Sequence, residues 1–178
     1  GNDGQPLASP EIVIVASLPR RADGNPTNVT VRGVTPRVIE VRRGLRIVEG
    51  RPFTAGLNEV IVGARIRERV RGLDLGQAIS VQKRDWTVVG IFEADGGAFE
   101  SEIWGDYDIM GSAFLRSGGQ NSLTVRIADP ATLEAFDRDL QADPRMQIQA
   151  IQERKYYEDQ SGPVARPLLG LATFVAFV

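Results

Sequence analysis

Residues 58–92 read NEVIVGARIRERVRGLDLGQAISVQKRDWTVVGIF, and this stretch holds the strongest structural signals in the chain. Its first apolar run, at 59–62, is short and β-branched and predicts a strand. A helix after it is indicated by apolar residues at spacings of four, four and three: Val62, Ile66, Val70 and Leu73. Two further strands, at 78–82 and 86–92, are joined by KRD, a connection of hairpin length.

The segments on either side continue this pattern of short strands with few helices. Strands are indicated by alternating or β-branched runs at 11–17, 29–34, 45–48, 121–127 and 146–151. Asp129 and Pro130 predict the start of a helix, and residues 153–160 predict a short polar helix. About seven or eight strands and two or three helices, not in strict alternation, indicate the α+β class.

The composition is that of a folded domain that lacks the usual catalytic side chains. The chain has 178 residues, of which 42% are hydrophobic and 25% charged, and its formal net charge is −2. It contains no cysteine and no histidine, which excludes thiolate chemistry and removes the usual general base and zinc ligand. The absence of a basic excess disfavours nucleic acid as a partner. This inventory favours a protein that is not an enzyme.

A run of arginines on the predicted helix is the first candidate for a binding site. Its members are Arg65, Arg67, Arg69 and Arg71. They could form a phosphate or anionic-lipid site. We favour a solvated helix face, because Glu68 lies among them and the net charge is negative.

The acidic, glycine-rich stretch at 93–108 is the second candidate. Its carboxylates are Glu93, Asp95, Glu100, Glu102, Asp106 and Asp108. Their order does not match a calcium-binding loop, and the pair Glu100 and Glu102 gives no evidence of the facing geometry of a glycosidase. We expect a solvated loop here.

Other catalytic signals are weak or absent. Lys83 lies in the predicted hairpin turn, so a Ser–Lys dyad using Lys83 or Lys155 is disfavoured. Neither G-x-S-x-G nor a phosphate-binding G-x-x-x-x-G-K-[ST] loop occurs. Asn28-Val29-Thr30 matches a glycosylation acceptor, but the pattern also suits the start of a strand. We therefore predict no catalytic, cofactor-binding or metal-binding residue.

The C-terminal segment is apolar on every face. Residues Leu168 to Val178 contain no charge, Asn or Gln, and eleven helical residues would reach about 16 Å of a roughly 30 Å hydrocarbon core. The favoured interpretation is the start of a transmembrane helix, and the alternative is a buried terminal helix or strand. The N-terminal stretch GNDGQPLASP has no signal-peptide features, and the two ends together suggest a piece of a larger protein.

Three segments in order carry a resemblance to a known family. They are VRGVTP at 31–36, IVEGRPF at 47–53 and the stretch at 58–92, followed by NSLTVRI and the apolar C-terminal run. Together they resemble the periplasmic domain of MacB/FtsX-type ABC transporter permeases. Gly50, Gly63, Gly76 and Gly90 each stand at an element boundary, where a positive φ or a close backbone approach is expected.

The resemblance implies a two-lobed α+β domain in the periplasm, anchored to the inner membrane by flanking transmembrane helices. A Porter-like lobe would comprise 1–28 and 95–160, with an inserted, strand-rich Sabre-like lobe at 29–94. Residues 161–178 would be a linker and the truncated start of a transmembrane helix. The first strand and helix expected of the Porter-like lobe are missing from the chain.

The resemblance also implies a non-catalytic function, mechanotransmission. Hydrolysis of ATP by a cytoplasmic ABC ATPase, separate or fused, would be coupled to the handling of a substrate or partner outside the membrane. The other implied partners are a second permease copy and a periplasmic adaptor or lipoprotein; no cofactor is expected in this domain. The alternative function is a membrane-tethered sensor or binding module without an ATPase, and a carboxylate-based hydrolase ranks third.

Overall fold

The computed structural model describes residues 6–115, 121–145, 148–161 and 172–177. Within these ranges every strand belongs to one mixed sheet. The strands are β1 (Ala8–Pro19), β2 (Pro26–Val34), β3 (Leu45–Gly50), β4 (Glu59–Gly63), β5 (Ala78–Val81), β6 (Arg84–Ala94), β7 (Glu102–Asp106), β8 (Ser122–Arg126), β9 (Ile148–Gln152) and β10 (Ala172–Phe177). Their order across the sheet is β3-β6-β4-β7-β2-β1-β8-β10-β9, and β5 pairs with β6.

Five α-helices accompany the sheet, and the predicted α+β class is confirmed. They are α1 (Val38–Val41), α2 (Ala64–Arg69), α3 (Tyr107–Ala113), α4 (Leu133–Ala142) and α5 (Glu153–Ser161). Two 3₁₀ turns lie at Ala98–Ser101 and Pro130–Thr132. Asp129 accepts a hydrogen bond from the amide of Ala131 at the start of the second turn, as the predicted helix start requires.

The centre of the sheet is buried on both faces. Val60 and Val62 of β4 belong to one apolar cluster, while Ile61 between them packs in another with Trp104. Side chains alternate across a strand, so the two clusters lie on opposite faces of the sheet. The uninterrupted apolar run of β4 is typical of a strand covered on both sides.

The helix after β4 is shorter than the sequence predicts, although its core residues are correct. Val62, Ile66, Val70 and Leu73 are all buried. The helix α2 nevertheless ends at Arg69, because Val70 has extended backbone angles and forms a β-bridge with Arg20. A tertiary contact therefore ends the helix one turn before the apolar pattern does.

The predicted hairpin between β5 and β6 is confirmed, but its connection is shorter than KRD. Gln82 and Lys83 form the turn with φ values of 55° and 58°, the geometry of a two-residue type I′ hairpin, and Arg84 and Asp85 belong to β6. Gly50 has φ +72°, and a Cβ on Gly63 would lie 2.6 Å from the Cα of Glu100. These glycines meet the two needs expected of them, a positive φ and a close backbone approach.

The prediction of a solvated loop at 93–108 is wrong. Residues 98–101 form the first 3₁₀ turn, and β7 follows between β2 and β4 with every residue buried. The charges obscured this strand, because an acidic residue reads as exposed unless its partner is known. The partner of Glu102 is Arg32, 70 positions away in the sequence.

The C-terminal segment also differs from the favoured expectation. Residues 172–177 form β10, parallel to both β8 and β9, where the sequence analysis favours the start of a helix. Thr, Val and Phe are strong strand formers, and the parallel pairing satisfies the backbone of the segment on both sides. Residues 168–171 and 178 of the apolar run, and residues 162–167 of the linker, lie outside the described ranges. Across those ranges, no helix combines the length and the apolar character that a membrane crossing requires.

Candidate functional site

Five charged side chains meet inside the protein, and we call them the ion cluster. None is more than 5% exposed. The cluster consists of Glu11 on β1, Arg32 on β2, Arg42 directly after α1, Glu102 on β7 and Glu153 in the first turn of α5. Burial of a charge is unfavourable unless it is paired and hydrogen-bonded, so the geometry of each pair decides whether the cluster is tolerated.

Arg32 connects three elements. Its Nε and one terminal nitrogen donate to the two carboxylate oxygens of Glu102 at 2.7 and 2.8 Å, which is a bidentate pair. Its other terminal nitrogen donates to Glu11 at 2.6 Å. The hydroxyl of Tyr157 on α5 accepts a further hydrogen bond at 2.8 Å. Arg32 thus joins β7, β1 and α5.

Arg42 connects the first strand to the last described helix. One terminal nitrogen donates to Glu11, and the other lies 2.9 Å from Glu153 and 3.1 Å from the hydroxyl of Thr124 on β8. Glu11 therefore lies between two guanidinium groups. The pairing holds β1, β8 and α5 to the segment that follows α1.

Aromatic rings close the cluster from water. The guanidinium of Arg42 lies 4.5 Å from the ring centre of Phe99 and 5.1 Å from that of Trp104. The indole nitrogen of Trp104 donates to Glu102 at 2.7 Å. Phe99 also packs edge to face against Tyr157. These contacts exclude solvent and strengthen each ion pair.

The pKa values of Glu11 and Glu153 are shifted in opposite directions. Burial raises the pKa of Glu11, but Arg42 and Arg32 outweigh it and hold the pKa below its usual value. Burial raises the pKa of Glu153 to about 7, against the opposing effect of Arg42. The negative charge of Glu11 adds to the effect of burial on the pKa of Glu153. Burial likewise raises the pKa of the Tyr157 hydroxyl, which keeps it neutral.

A cleft of about 1080 Å³ opens beside the ion cluster. Arg42, Glu153 and Tyr157 reach its wall from the cluster, and Phe99 covers part of its apolar side. Further lining comes from residues on either side of Arg42, from the segments 94–99 and 126–130, and from Gln152 and Arg154. The cleft thus contains apolar surface, cations and one carboxyl group whose pKa is near neutrality, features that binding sites combine.

The arginine run is largely exposed, as we favoured, but only Arg65, Arg67 and Arg69 lie on α2, and Arg71 follows the end of the helix. Arg65 pairs with Glu100 at 3.2 Å, and Arg67 donates to Glu49 at 2.6 Å and to Asp74 at 3.1 Å. Two of the four arginines, Arg65 and Arg67, are therefore engaged in ion pairs within the protein.

The acidic side chains of 93–108 lie apart and bind different partners. Glu100 accepts from the amides of Ala94 and Gly96, and Asp106 caps α3 through the amide of Ile109. These contacts close a turn and begin a helix. In the parts of the chain that the structure describes, no three carboxylates converge as a metal site would need.

The remaining candidates lie on the surface. Glu93 pairs with the exposed Arg46, and Asp108 is exposed. Lys83 and Lys155 are exposed, one in the hairpin turn and the other on α5. Asn28 is exposed within β2, opposite Ser17 of β1. No arrangement of these residues supports nucleophilic catalysis.

The sequence analysis missed four members of the ion cluster. A signal was present, because Glu11 begins the predicted strand in PEIVIVAS and Arg32 lies within the predicted strand VTVRGV. A charge inside a predicted buried strand requires a partner of opposite sign. The spacing along the chain gives no means of choosing that partner.

The comparisons with known proteins agree with the fold. The family model described as "MacB-like periplasmic core domain" matches residues 5–143. The chain belongs to this family. The expected resemblance is confirmed, and this MacB-like domain is a domain of an ABC transporter permease.

Two solved structures are similar to this MacB-like domain. The extracellular domain of the noncanonic ABC-type transporter YknZ from Gram-positive bacteria aligns with a TM-score of 0.53 at 17% identity, over 73% of this chain and 69% of that one. The periplasmic region of MacB from Actinobacillus actinomycetemcomitans aligns with a TM-score of 0.48 at 16% identity, over 64% of this chain and 52% of that one. The domain therefore spans about half of that MacB region. No functionally curated protein matches the chain.

Proposed function

We propose that this MacB-like domain is a non-catalytic transmission element on the periplasmic side of the inner membrane. In this role it couples ATP hydrolysis by a cytoplasmic ABC ATPase to the handling of a substrate or partner outside the membrane. The family match supports the location, and the ion cluster supports the mechanical role. Transmembrane helices outside the described residues would anchor the domain to that membrane.

The observation that carries the mechanical role is the bridge made by Arg42. Its guanidinium holds Glu11 of β1 and Glu153 of α5, two elements near opposite ends of the described chain. A domain that transmits motion must not deform between the points where force enters and leaves it. Buried ion pairs and a continuous sheet satisfy that requirement, because packed interiors transmit displacement.

The proposed partners follow from the family. They are the ATPase, a second permease copy, and a periplasmic adaptor or lipoprotein. With these partners the domain would contribute to transport by the whole permease. The alternative function, a membrane-tethered sensor without an ATPase, predicts that no ATPase copurifies with the permease. The hydrolase alternative is weakened, since Glu100 accepts hydrogen bonds from backbone amides and Glu102 is paired with Arg32.

The mechanical role can be tested in the full-length permease with its ATPase in nanodiscs. The chain has no cysteine, so Val15, 61% exposed, can be replaced by a single labelled cysteine once any cysteine elsewhere is removed. We expect the distance between spin labels on two permease copies to differ between the ATP-bound and ADP-bound states. Arg42→Met should reduce this change while ATP hydrolysis continues.

Two results would oppose the mechanical role. One is a label distance that is identical in the two nucleotide states. The other is an Arg42→Met permease that moves like the wild type. Arg46→Met is the matched control, because Arg46 is 69% exposed and lies outside the cluster.

We also propose the division into a Porter-like lobe at 1–28 and 95–160 and a Sabre-like lobe at 29–94. The sheet runs through both segments, and β2 crosses the boundary at residue 29. Hydrogen exchange at increasing urea concentration tests the division, since two lobes should open as two cooperative units. A single unit that includes both segments would contradict it.

A further inference from the structure

Two arginines in the wall of the cleft have no counterion. Arg43 follows Arg42 in the chain, and Arg126 ends β8. Among the residues that the structure describes, neither side chain takes part in an ion pair or a side-chain hydrogen bond. Both line the cleft. This contrasts with Arg32 and Arg42, which both pair with carboxylates of the ion cluster.

The two guanidinium groups act on each other. Arg126 is partly buried, and its pKa is lowered by burial and by the positive charge of Arg43. Like charges at the wall of a partly desolvated cleft repel each other, and a bound anion would relieve the repulsion. Guanidinium groups also match carboxylate and phosphate oxygens in geometry.

The carboxyl groups near the cleft do not supply that anion. Glu153 is held by Arg42, and its pKa of about 7 leaves it partly protonated at neutral pH. Asp95 also lines the cleft, but among the described residues it forms no ion pair with Arg43 or Arg126. The positive charges of Arg43 and Arg126 are therefore available to bind an anionic ligand.

The size and walls of the cleft point to an organic ligand. Its volume of about 1080 Å³ is comparable to that of pockets for small organic molecules, and far larger than an inorganic ion needs. Leu45, Phe99 and Ile127 contribute apolar surface to the same cleft. A ligand that fills it would place an apolar portion against these residues.

We propose that the cleft binds an amphipathic organic anion. Arg43 and Arg126 hold its carboxylate or phosphate group, and its apolar portion lies against Phe99 and Ile127. The site is separate from the ion cluster, although the two share a wall. The proposal is independent of the mechanical role, because the binding can be measured on the 178-residue chain without an ATPase.

Calorimetric titration with octyl phosphate, below its micelle concentration, tests the site. We expect binding to the wild type and a loss of affinity of about tenfold or more in each of Arg43→Gln and Arg126→Gln, the magnitude of a hydrogen bond to a charged group. Arg69→Gln is the matched control, since it removes the same charge from an exposed residue outside the cleft. Equal affinity in the wild type and the double variant Arg43→Gln/Arg126→Gln would overturn the proposal.

Two further probes separate the parts of the ligand. Inorganic phosphate should bind at least tenfold more weakly than octyl phosphate. Equal affinity would contradict the proposal that an apolar portion of the ligand lies against Phe99 and Ile127. Octyl glucoside, which has the same alkyl chain and no charge, should not compete with octyl phosphate. Effective competition would contradict the proposal that Arg43 and Arg126 hold an anionic group. Decanoate should compete with octyl phosphate if the site accepts any such anion, and failure would restrict the ligand to phosphates.

A measurement on the wild type keeps the test valid should a variant fold poorly. Phenylglyoxal modifies exposed arginines, and peptide mass spectrometry reports each site separately. Octyl phosphate should slow the modification of Arg43 and Arg126 and leave that of Arg69 unchanged. Modification of the two cleft arginines at an unchanged rate would contradict the site.

Discussion

A terminal nitrogen of Arg42 lies 2.9 Å from a carboxylate oxygen of Glu153, although the two residues are 111 positions apart. The same guanidinium holds Glu11. This contact fixes α5 to β1 across the sheet, and it brings together a permanent cation and a carboxyl group whose pKa is about 7. Stability and protonation are therefore linked at this point of the structure.

Glu153→Gln should remove a pH dependence of stability. The pKa of Glu153 is about 7 in the folded protein against 4.5 for an unperturbed glutamate, so the folded state binds more protons than the unfolded state between these values. Raising the pH through this window should therefore lower the free energy of unfolding of the wild type, by at most about 3 kcal/mol. Glutamine keeps an oxygen for Arg42 and cannot ionise, so the variant should be the more stable protein at pH 8.

Urea titrations at pH 5, 6, 7 and 8 measure this effect. The lowered pKa of Glu11 has the opposite effect on the free energy of unfolding. That effect appears only below the usual pKa of a glutamate, which is lower than the pH values used here. Glu68→Gln, at an exposed position on α2, is the control. If the free energy of unfolding changed with pH equally in the wild type and in Glu153→Gln, the carboxyl group of Glu153 would not be the cause of the pH dependence.

Arg32→Met should be strongly destabilising. It leaves the carboxylate of Glu102 buried without its bidentate partner, and removal of one member of a buried pair typically costs about 3–5 kcal/mol. The double variant Arg32→Met/Glu102→Leu should recover part of this loss, because no unpaired charge remains between those two positions. The free energy of unfolding in urea is the measurement.

The exposed pair of Arg46 and Glu93 provides the comparison for Arg32. Arg46 is 69% exposed, and its replacement by Met should change stability by no more than about 0.5 kcal/mol. Similar losses in Arg32→Met and Arg46→Met would mean that the cluster contributes no more than a surface pair.

Gly63→Ala should cost more than Gly76→Ala. Gly63 has φ −63°, which alanine adopts freely, but a Cβ there would lie 2.6 Å from the Cα of Glu100. Gly76 has φ +80° and open space around the added atom, so only the left-handed backbone is penalised, by about 1–2 kcal/mol. Thermal unfolding of the two variants compares a steric clash with a conformational penalty. The reverse order would contradict the close approach of α2 to the 3₁₀ turn.

The amides of β7 should be among the slowest to exchange with deuterium. Ile103, Trp104 and Gly105 lie between β2 and β4, so their exchange requires opening of the centre of the sheet. Lys83, in the exposed hairpin turn, should exchange fast and serves as the internal reference. Exchange of Ile103 and Gly105 as fast as that of Lys83 would restore the interpretation of this segment as a solvated loop.

The sequence by itself determined the features that depend on neighbouring residues. The apolar runs located β1, β2, β4 and β6, and the spacing of Val62, Ile66, Val70 and Leu73 identified four core residues. The order of the segments between 31 and 92 also indicated the family that the comparisons confirm. Alternation and turn chemistry act over a few residues, which is why they can be read from one sequence.

Only the tertiary structure decided the features that depend on distant partners. Glu102 is buried because Arg32 neutralises it from 70 positions away, and β7 therefore becomes a central strand in an acidic stretch. Segment 172–177 becomes a strand because β8 and β9 pair with it on both sides. The cost of burying a charge or a backbone amide is set by what lies opposite it in space, and a linear pattern does not contain that information.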